Sequence, residues 1–367
     1  MNAANTANAT IVCPRCESEE CVMPSEDVFE SLPFMYSACR SCMPEMSVSK
    51  QMPFDQLARF NPIFRDIDDA TMRCPGCEKR SLDIAIAHVL SILIREGLRD
   101  DCATLFDVGT PMIAIGYPVP FPPRLGRNML ILIMDAIDKK TAEMITNEVS
   151  EVKGVIQRKG RADQPVGILN TGGDCASAPH TYDLLSGCDV RADIVSSAFG
   201  ELCIYKTQSD THIEFSRSGS DKIAVLESLY YQRKLEGRVA DVCCGAGTLG
   251  LVSVLAGARE VILNDAFLPA VKNTLINIRA NASALGLDPA ELEIHTDPAE
   301  LEMIADTPVL VATASGSCDL LVYHSDLVDL AATIGRCDLC LIDAFMGVPT
   351  GGFVRAWKEA ATMVVTI

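Results

Sequence analysis

Residues 237–265 read G-R-V-A-D-V-C-C-G-A-G-T-L-G-L-V-S-V-L-A-G-A-R-E-V-I-L-N-D. A short apolar strand from Val239 to Cys243 runs into a turn carrying Gly245, Gly247 and Gly250. An apolar helix follows, and then a second strand that ends in Asp265. Strand, glycine turn, helix and strand in this order suit a nucleoside cofactor. The glycines let backbone approach the ligand, and the carboxylate after the second strand can accept hydrogen bonds from ribose hydroxyls.

Asp241 selects among such cofactors. A phosphate-binding turn needs open N–H groups and no adjacent negative charge. Here an acid stands four residues before the first glycine, where it would repel a pyrophosphate. S-adenosylmethionine (SAM) carries a sulfonium and an ammonium, so the same acid favours it. The run D-V-C-C-G-A-G-T-L-G resembles motif I of class I SAM-dependent methyltransferases. The expected cofactor set is Asp241, Cys243, Gly245, Gly247, Gly250 and Asp265, with Asp326 on the adenine side and Asp297 as its rival. Cys243 and Cys244 read as small hydrophobes filling tight space beside the turn.

Outward from this motif the chain alternates strand and helix, giving an α/β, Rossmann-like sheet over residues 215–367. A helix at 222–235 precedes the motif and another follows at 269–285. The third strand reads D-L-L-V-Y-H-S-D to Asp326 and the fourth C-D-L-C-L-I-D-A-F, passing Asp343 to Phe345. M-V-V-T-I is the fifth. The stretch 288–317 reads as an insertion before the third strand. Asp241, Asp265, Asp326 and Asp343 all fall near carboxyl ends of strands, where open α/β sheets place ligand groups. Asn273, Asn277 and Asn281 form a stripe at helical spacing; asparagine is a poor helix former, so the stripe invites a polar task, but it reads first as a solvated face. Cys337 and Cys340 read as strand core.

Three C-x2-C pairs precede this region: Cys13/Cys16, Cys39/Cys42 and Cys74/Cys77. Such a turn chelates one ion with two thiolates, and two turns complete a tetrahedral zinc site. Cys13/Cys16 with Cys39/Cys42 encloses 22 residues, near zinc-ribbon spacing. The third pair leaves two alternatives: Cys74/Cys77 replaces one of the others, or Cys21 and a further ligand complete a second site. Zinc is expected, with an iron–sulfur cluster as the rival that thiolates also suit. Residues 1–80 thus read as a cysteine-rich metal module and 81–214 as a mixed α/β domain with a possible part in substrate recognition. Leu82–Ile94 is an apolar helix capped by Ser81 and ended by Gly97, with His88 in its core. It is too short to cross a bilayer. The run 152–161, V-K-G-V-I-Q-R-K-G-R, is the most basic of the chain; it reads as a solvated face, or more sharply as a strip for phosphates.

The net charge of −18 argues against tight non-specific binding to nucleic acid. Sixteen cysteines without a secretory signal point to reduced thiols and a cytoplasmic protein.

Residues from 152 to 281 are similar to the archaeal tRNA guanine-N1 methyltransferase group, which has the same order of segments. Here they stand as V-K-G-V-I-Q-R-K-G, F-S-R-S at 215–218 and D-V-C-C-G-A-G. The resemblance implies a Rossmann-type domain, bound SAM and a tRNA base as acceptor. After the fourth strand, however, D-A-F-M-G-V-P-T replaces the N-x-P-like segment of such enzymes, which removes support for exocyclic-amine chemistry. The usual final hairpin is also missing from this sequence. The segment F-S-R-S-G-S-D resembles the loop leading into the helix of ribosomal-protein L11 methyltransferases, which keeps a protein acceptor open. Asp343 is the expected acceptor-side acid or base, Phe345 a packing surface, and Arg217 a guide for a negatively charged acceptor. His324, beside Asp326, is a candidate for contact with the site. A zinc-bearing scaffold that retains SAM is the reading from another class.

Overall fold

The computed structural model describes residues 11–46, 48–159, 182–211, 219–305, 307–344 and 348–367. Arg217 and Phe345 lie outside them. The described residues form two compact units, one of 11–28 with 192–367 and the other of 29–159 with 182–191. No helix among the described residues is long and apolar enough to cross a membrane.

The second unit holds helix α1 (Leu82–Arg95), strands β1 (Thr110–Ile113) and β2 (Leu130–Met134), helix α2 (Lys139–Glu148), and strands β3 (Val152–Arg158) and β4 (Tyr182–Gly187). The strands lie in the order β1-β2-β3-β4, with β2 and β3 parallel and the outer pairs antiparallel. Every residue of β2 is buried. Gly97, at φ +73°, lets the chain turn away after α1, as its position predicts. Ser81 occupies the N-cap position but makes no capping bond through its side chain.

A buried ionic cluster ties α1 to this sheet. Arg80 pairs with Glu151 at 2.7 Å, both wholly buried, and Arg73 meets the same carboxylate at 2.7 Å. His88 Nδ1 lies 3.1 Å from Arg80. Burial and that guanidinium push the imidazole down to about 4, so His88 is the neutral core histidine its place on the helix predicts. Most of the basic run forms β3, and the charges it carries among the described residues are engaged: Lys153 donates to the Val190 carbonyl at 2.6 Å, Arg158 pairs with Asp135 at 2.6 Å, and Lys159, just after the strand, pairs with Asp183.

The first unit contains β5 (Gly200–Thr207), α3 (Gly219–Tyr231), β6 (Arg238–Asp241), α4 (Thr248–Leu255), β7 (Glu260–Asp265), α5 (Leu268–Ala280), β8 (Glu293–Ile294), β9 (Val309–Ala314), β10 (Asp319–His324), α6 (Leu327–Thr333), β11 (Cys337–Ile342), α7 (Gly351–Ala360) and β12 (Ala361–Thr366). Seven strands form one sheet in the order β8-β9-β10-β7-β6-β11-β12. The five from β10 to β12 run parallel. They repeat the 3-2-1-4-5 order of a doubly wound, Rossmann-like sheet, with the switch point between β6 and β11. Cys337 and Cys340 are buried in β11, as core packing requires. The stretch 288–317 is not a mere insertion: it supplies β8 and β9. Strand β9 runs antiparallel to β10 and lengthens the sheet on that edge.

The asparagine stripe corrects its reading as a solvated face. Asn273, Asn277 and Asn281 are all buried. Asn281 accepts from Cys203 N–H and donates to Cys203 C=O, both at 2.8 Å. Asn277 does the same for Tyr205 at 2.7 and 2.9 Å, and Asn273 accepts from Thr207 N–H at 3.2 Å. Four helical residues rise about 6.0 Å and two strand residues about 6.8 Å. The amides on α5 therefore keep step with alternate residues of β5, an edge strand, and act as its missing neighbour. Truncating one leaves buried backbone groups unsatisfied, each costing about 1–3 kcal/mol. Asn277→Ala is expected to lower the unfolding free energy by about 3 kcal/mol in urea denaturation; a loss under about 0.5 kcal/mol would contradict the ladder.

Candidate functional site

Strand β6 delivers Asp241 to the switch point, and the chain turns over Cys243–Gly247 into α4. Gly245 and Gly247 take φ values of +56° and +83°, which a residue with a side chain adopts only with strain. Gly250 serves packing instead: a Cβ there would meet Leu263 Cδ2 at 2.2 Å, so the glycine lets α4 lie against β7. A Cβ at Gly245 would meet nothing within 4 Å, which leaves the turn open for the approach of a ligand.

Asp241 is fully buried. Its Oδ2 accepts from Gly250 N–H at 2.8 Å, in the first turn of α4, while its Oδ1 has no partner among the described residues. Burial pushes this carboxyl up to about 8, against the pull of that N–H, and Asp343 and Asp265 push it further the same way. A protein carboxylate thus takes the place at the helix N-terminus that a pyrophosphate would need. The orphaned oxygen fits a cationic ligand group such as the sulfonium or ammonium of SAM.

Asp265 ends β7, partly exposed. Its Oδ2 accepts from Gly245 N–H and its Oδ1 from Phe267 N–H, both at 2.9 Å. Burial still holds its pKa above the usual carboxylate range. Each oxygen keeps a second acceptor position, which is what a pair of ribose hydroxyls would use. Thr274 Oγ1 steadies the turn by donating to Gly245 C=O at 3.0 Å.

Asp343, just past β11, pairs with Lys222 of α3 at 2.7 Å. Lys222 was not singled out from sequence: 121 residues separate the partners, and no local pattern marks a lysine in the first turn of a helix. Asp265 and Asp343 both act on Asp241, and all three raise the Cys243 thiol, which burial already holds well above its usual range. Cys243 is therefore a neutral thiol beside the turn. Asp326 caps α6, accepting from Val328 N–H at 2.7 Å. Asp297 spends an oxygen on Ala299 N–H at 2.8 Å. His324 stands behind the site: its Nδ1 lies 3.0 Å from the Asp265 carbonyl oxygen and its Nε2 3.0 Å from that of Glu302.

The cysteines assort differently from the spacing argument. Cys39, Cys42, Cys74 and Cys77 cluster in the second unit, whereas Cys13 and Cys16 belong to the first. The expected pairing of Cys13/Cys16 with Cys39/Cys42 is replaced, because either pairing has workable loop lengths and only the fold decides. Within the cluster, Cys39–Cys74 and Cys42–Cys77 sulfurs are 3.6 Å apart and Cys39–Cys42 3.8 Å. A tetrahedron with metal–sulfur bonds of about 2.3 Å has edges of about 3.8 Å, so the four thiols fit one ion. Amide N–H groups of Ser41 and Gly76 lie 3.3 and 3.4 Å from the Cys39 and Cys74 sulfurs. Such amides lower both thiols, Cys74 to about 6, which favours the ligating thiolate form.

No family model matches the chain. It is 40% identical over 62 residues to the ribosomal protein L11 methyltransferase of Synechococcus sp. (strain RCC307), a match that spans 17% of this chain and 21% of that relative's length. The structure of TYW2 from Pyrococcus horikoshii in complex with MeSAdo is 17% identical and has a TM-score of 0.38, over 74% of each chain. Trm1 from the same organism, in complex with S-adenosyl-L-methionine, is 21% identical with a TM-score of 0.35, over 46% of this chain and 39% of its own.

The raised Asp241 makes stability depend on pH. Its folded value of about 8 exceeds its ordinary 3.8, so folding takes up a proton between them. The stabilisation is complete below the lower value and is lost as pH rises through the upper one. Ligand-free Asp241→Asn is expected to melt above wild type near pH 8, the two converging toward pH 4, in thermal unfolding followed across that range. A constant offset at every pH would contradict it.

Proposed function

We propose that this chain is a SAM-dependent methyltransferase acting on RNA, of tRNA-like form, with a structural zinc at Cys39, Cys42, Cys74 and Cys77. The observation that carries the reading is the buried Asp241, with one oxygen on the Gly250 N–H and the other unpartnered among the described residues, beside an open glycine turn at the switch point. That combination denies the Gly250 N–H to a phosphate and suits a ligand whose positive charge can take the place of the carboxyl proton.

SAM, when bound, supplies an electrophilic methyl group on sulfur. Asp241 offsets the ligand's positive charge and Asp265 accepts from its ribose. Asp326 is assigned to the adenine side, with its capping bond to Val328 retained. Cys243, as a neutral thiol, fills space beside the donor. Transfer needs an acceptor held in line and water kept out, with removal of a proton where the acceptor becomes cationic. Asp343 is the proposed acceptor of that proton, and its 2.7 Å ion pair with Lys222 would orient it. Arg217 is the proposed contact for a negatively charged acceptor. Zinc is preferred because four thiolates at tetrahedral spacing are a closed structural site.

RNA as acceptor rests on the resemblance of residues 152–281 to the tRNA guanine-N1 methyltransferase group. A protein side chain is the second reading, favoured by the 62-residue match to a ribosomal protein L11 methyltransferase. The chain carrying Asp265→Ala is expected to lose SAM binding at least tenfold by calorimetry. Labelled methyl from SAM is expected in a product that resists protease and is destroyed by RNase. Label that survives RNase and is lost to protease would move the acceptor to protein. SAM bound without transfer to either would leave a scaffold, and no SAM binding by wild type would overturn the whole reading.

A further inference from the structure

The first unit carries a cysteine cluster that the four-thiol centre leaves unexplained. The sulfurs of Cys13, Cys16 and Cys21 lie within 4.8 Å of one another. Cys13 is fully buried.

The local backbone is that of a metal-binding turn already built elsewhere in the chain. Both segments read C-P-x-C-E, at 13–17 and at 74–78. In the second, Cys74 N–H donates to Lys79 C=O at 2.9 Å and Glu78 N–H to Cys74 C=O at 2.9 Å. In the first, Cys13 N–H donates to Ser18 C=O at 3.1 Å and Glu17 N–H to Cys13 C=O at 3.0 Å. Glu78 and Glu17 take φ of +57° and +56°. A glutamate in the left-handed region is uncommon and persists where its surroundings dictate it. Here it closes a turn that brings two sulfurs to one side. The second turn belongs to a cluster with the sulfur spacing of a metal tetrahedron, and the first repeats its hydrogen bonds around a third cysteine.

We propose that Cys13, Cys16 and Cys21 are ligands of a second metal ion, separate from that of Cys39, Cys42, Cys74 and Cys77, and that the ion is structural zinc. Three thiolates supply three corners of a tetrahedron and leave one for a further donor. The ion would fix the segment from Val12 to Met23, which is anchored on β5 and the turn after it. Met23 N–H and C=O both bond the Tyr205 hydroxyl, at 3.1 and 3.2 Å, and Arg15 bonds Ser209 at 3.1 Å and pairs with Asp210.

Zinc content of the purified full chain, prepared under reducing conditions, tests this without reference to methyl transfer. Two zinc ions per chain are expected in wild type. One is expected in Cys16→Ser and in Cys21→Ser, and one in the double variant Cys39→Ser/Cys42→Ser. A wild type holding at most one, or Cys16 and Cys21 variants that still hold two, would overturn the proposal. Should those variants fail to fold, cobalt titration of the metal-stripped wild type decides. Thiolate-to-cobalt absorbance should rise through two equivalents, and a break at one rejects the second site.

Discussion

A carboxylate buried at the start of a helix governs the candidate site. Asp241 stands at the carboxyl end of β6, at the switch point of the sheet, and takes the Gly250 N–H for itself. An anionic ligand loses that place through occupancy, and through repulsion as well once the carboxyl is ionised. An ionised carboxylate with one bare oxygen is costly to bury, and burial answers by raising its affinity for a proton. A cation at the same oxygen would do the proton's work. Binding of such a cation would therefore be linked to proton release at this one residue.

The remaining charges follow from that arrangement. Three acids near one another would repel, and Lys222 offsets part of the repulsion through Asp343. Asp265 manages its own charge with two backbone N–H groups, one of them from the glycine turn. The turn is thus shaped by the acids as much as by its glycines. Cys243, surrounded by negative charge, is held as a thiol, and a neutral sulfur is what a crowded wall beside a cationic ligand requires.

Local features were the legible ones. The strand–turn–helix–strand of 237–265, the core helix at 82, the buried His88 and the C-x2-C turns were readable because their causes lie within a few residues. What escaped depends on partners far away in sequence. The asparagine stripe looked solvated because β5, its partner, lies more than sixty residues earlier. The pairing of cysteines stayed open because loop lengths allow more than one solution. Lys222 meets Asp343 across 121 residues, through the tertiary fold and not through any local pattern. Strand β9 hid in an apparent insertion because its antiparallel return against β10 breaks the alternation of strand and helix.

The buried amides on α5 do more than finish an edge strand. Asn277 binds both backbone groups of Tyr205 and also donates to Ala246 C=O at 2.9 Å, inside the glycine turn. Tyr205 in turn holds Met23 through its hydroxyl. Hydrogen bonds therefore run from the cysteine segment at 13–23, across β5 and through one asparagine, to the loop that would cradle the cofactor. Asp265 and Thr274 secure the same loop at Gly245. A turn rich in glycine is entropically costly to order, and a ligand that had to order it would bind more weakly. With each of these amides and hydroxyls already engaged, that cost is met in folding, and the turn waits in a fixed form.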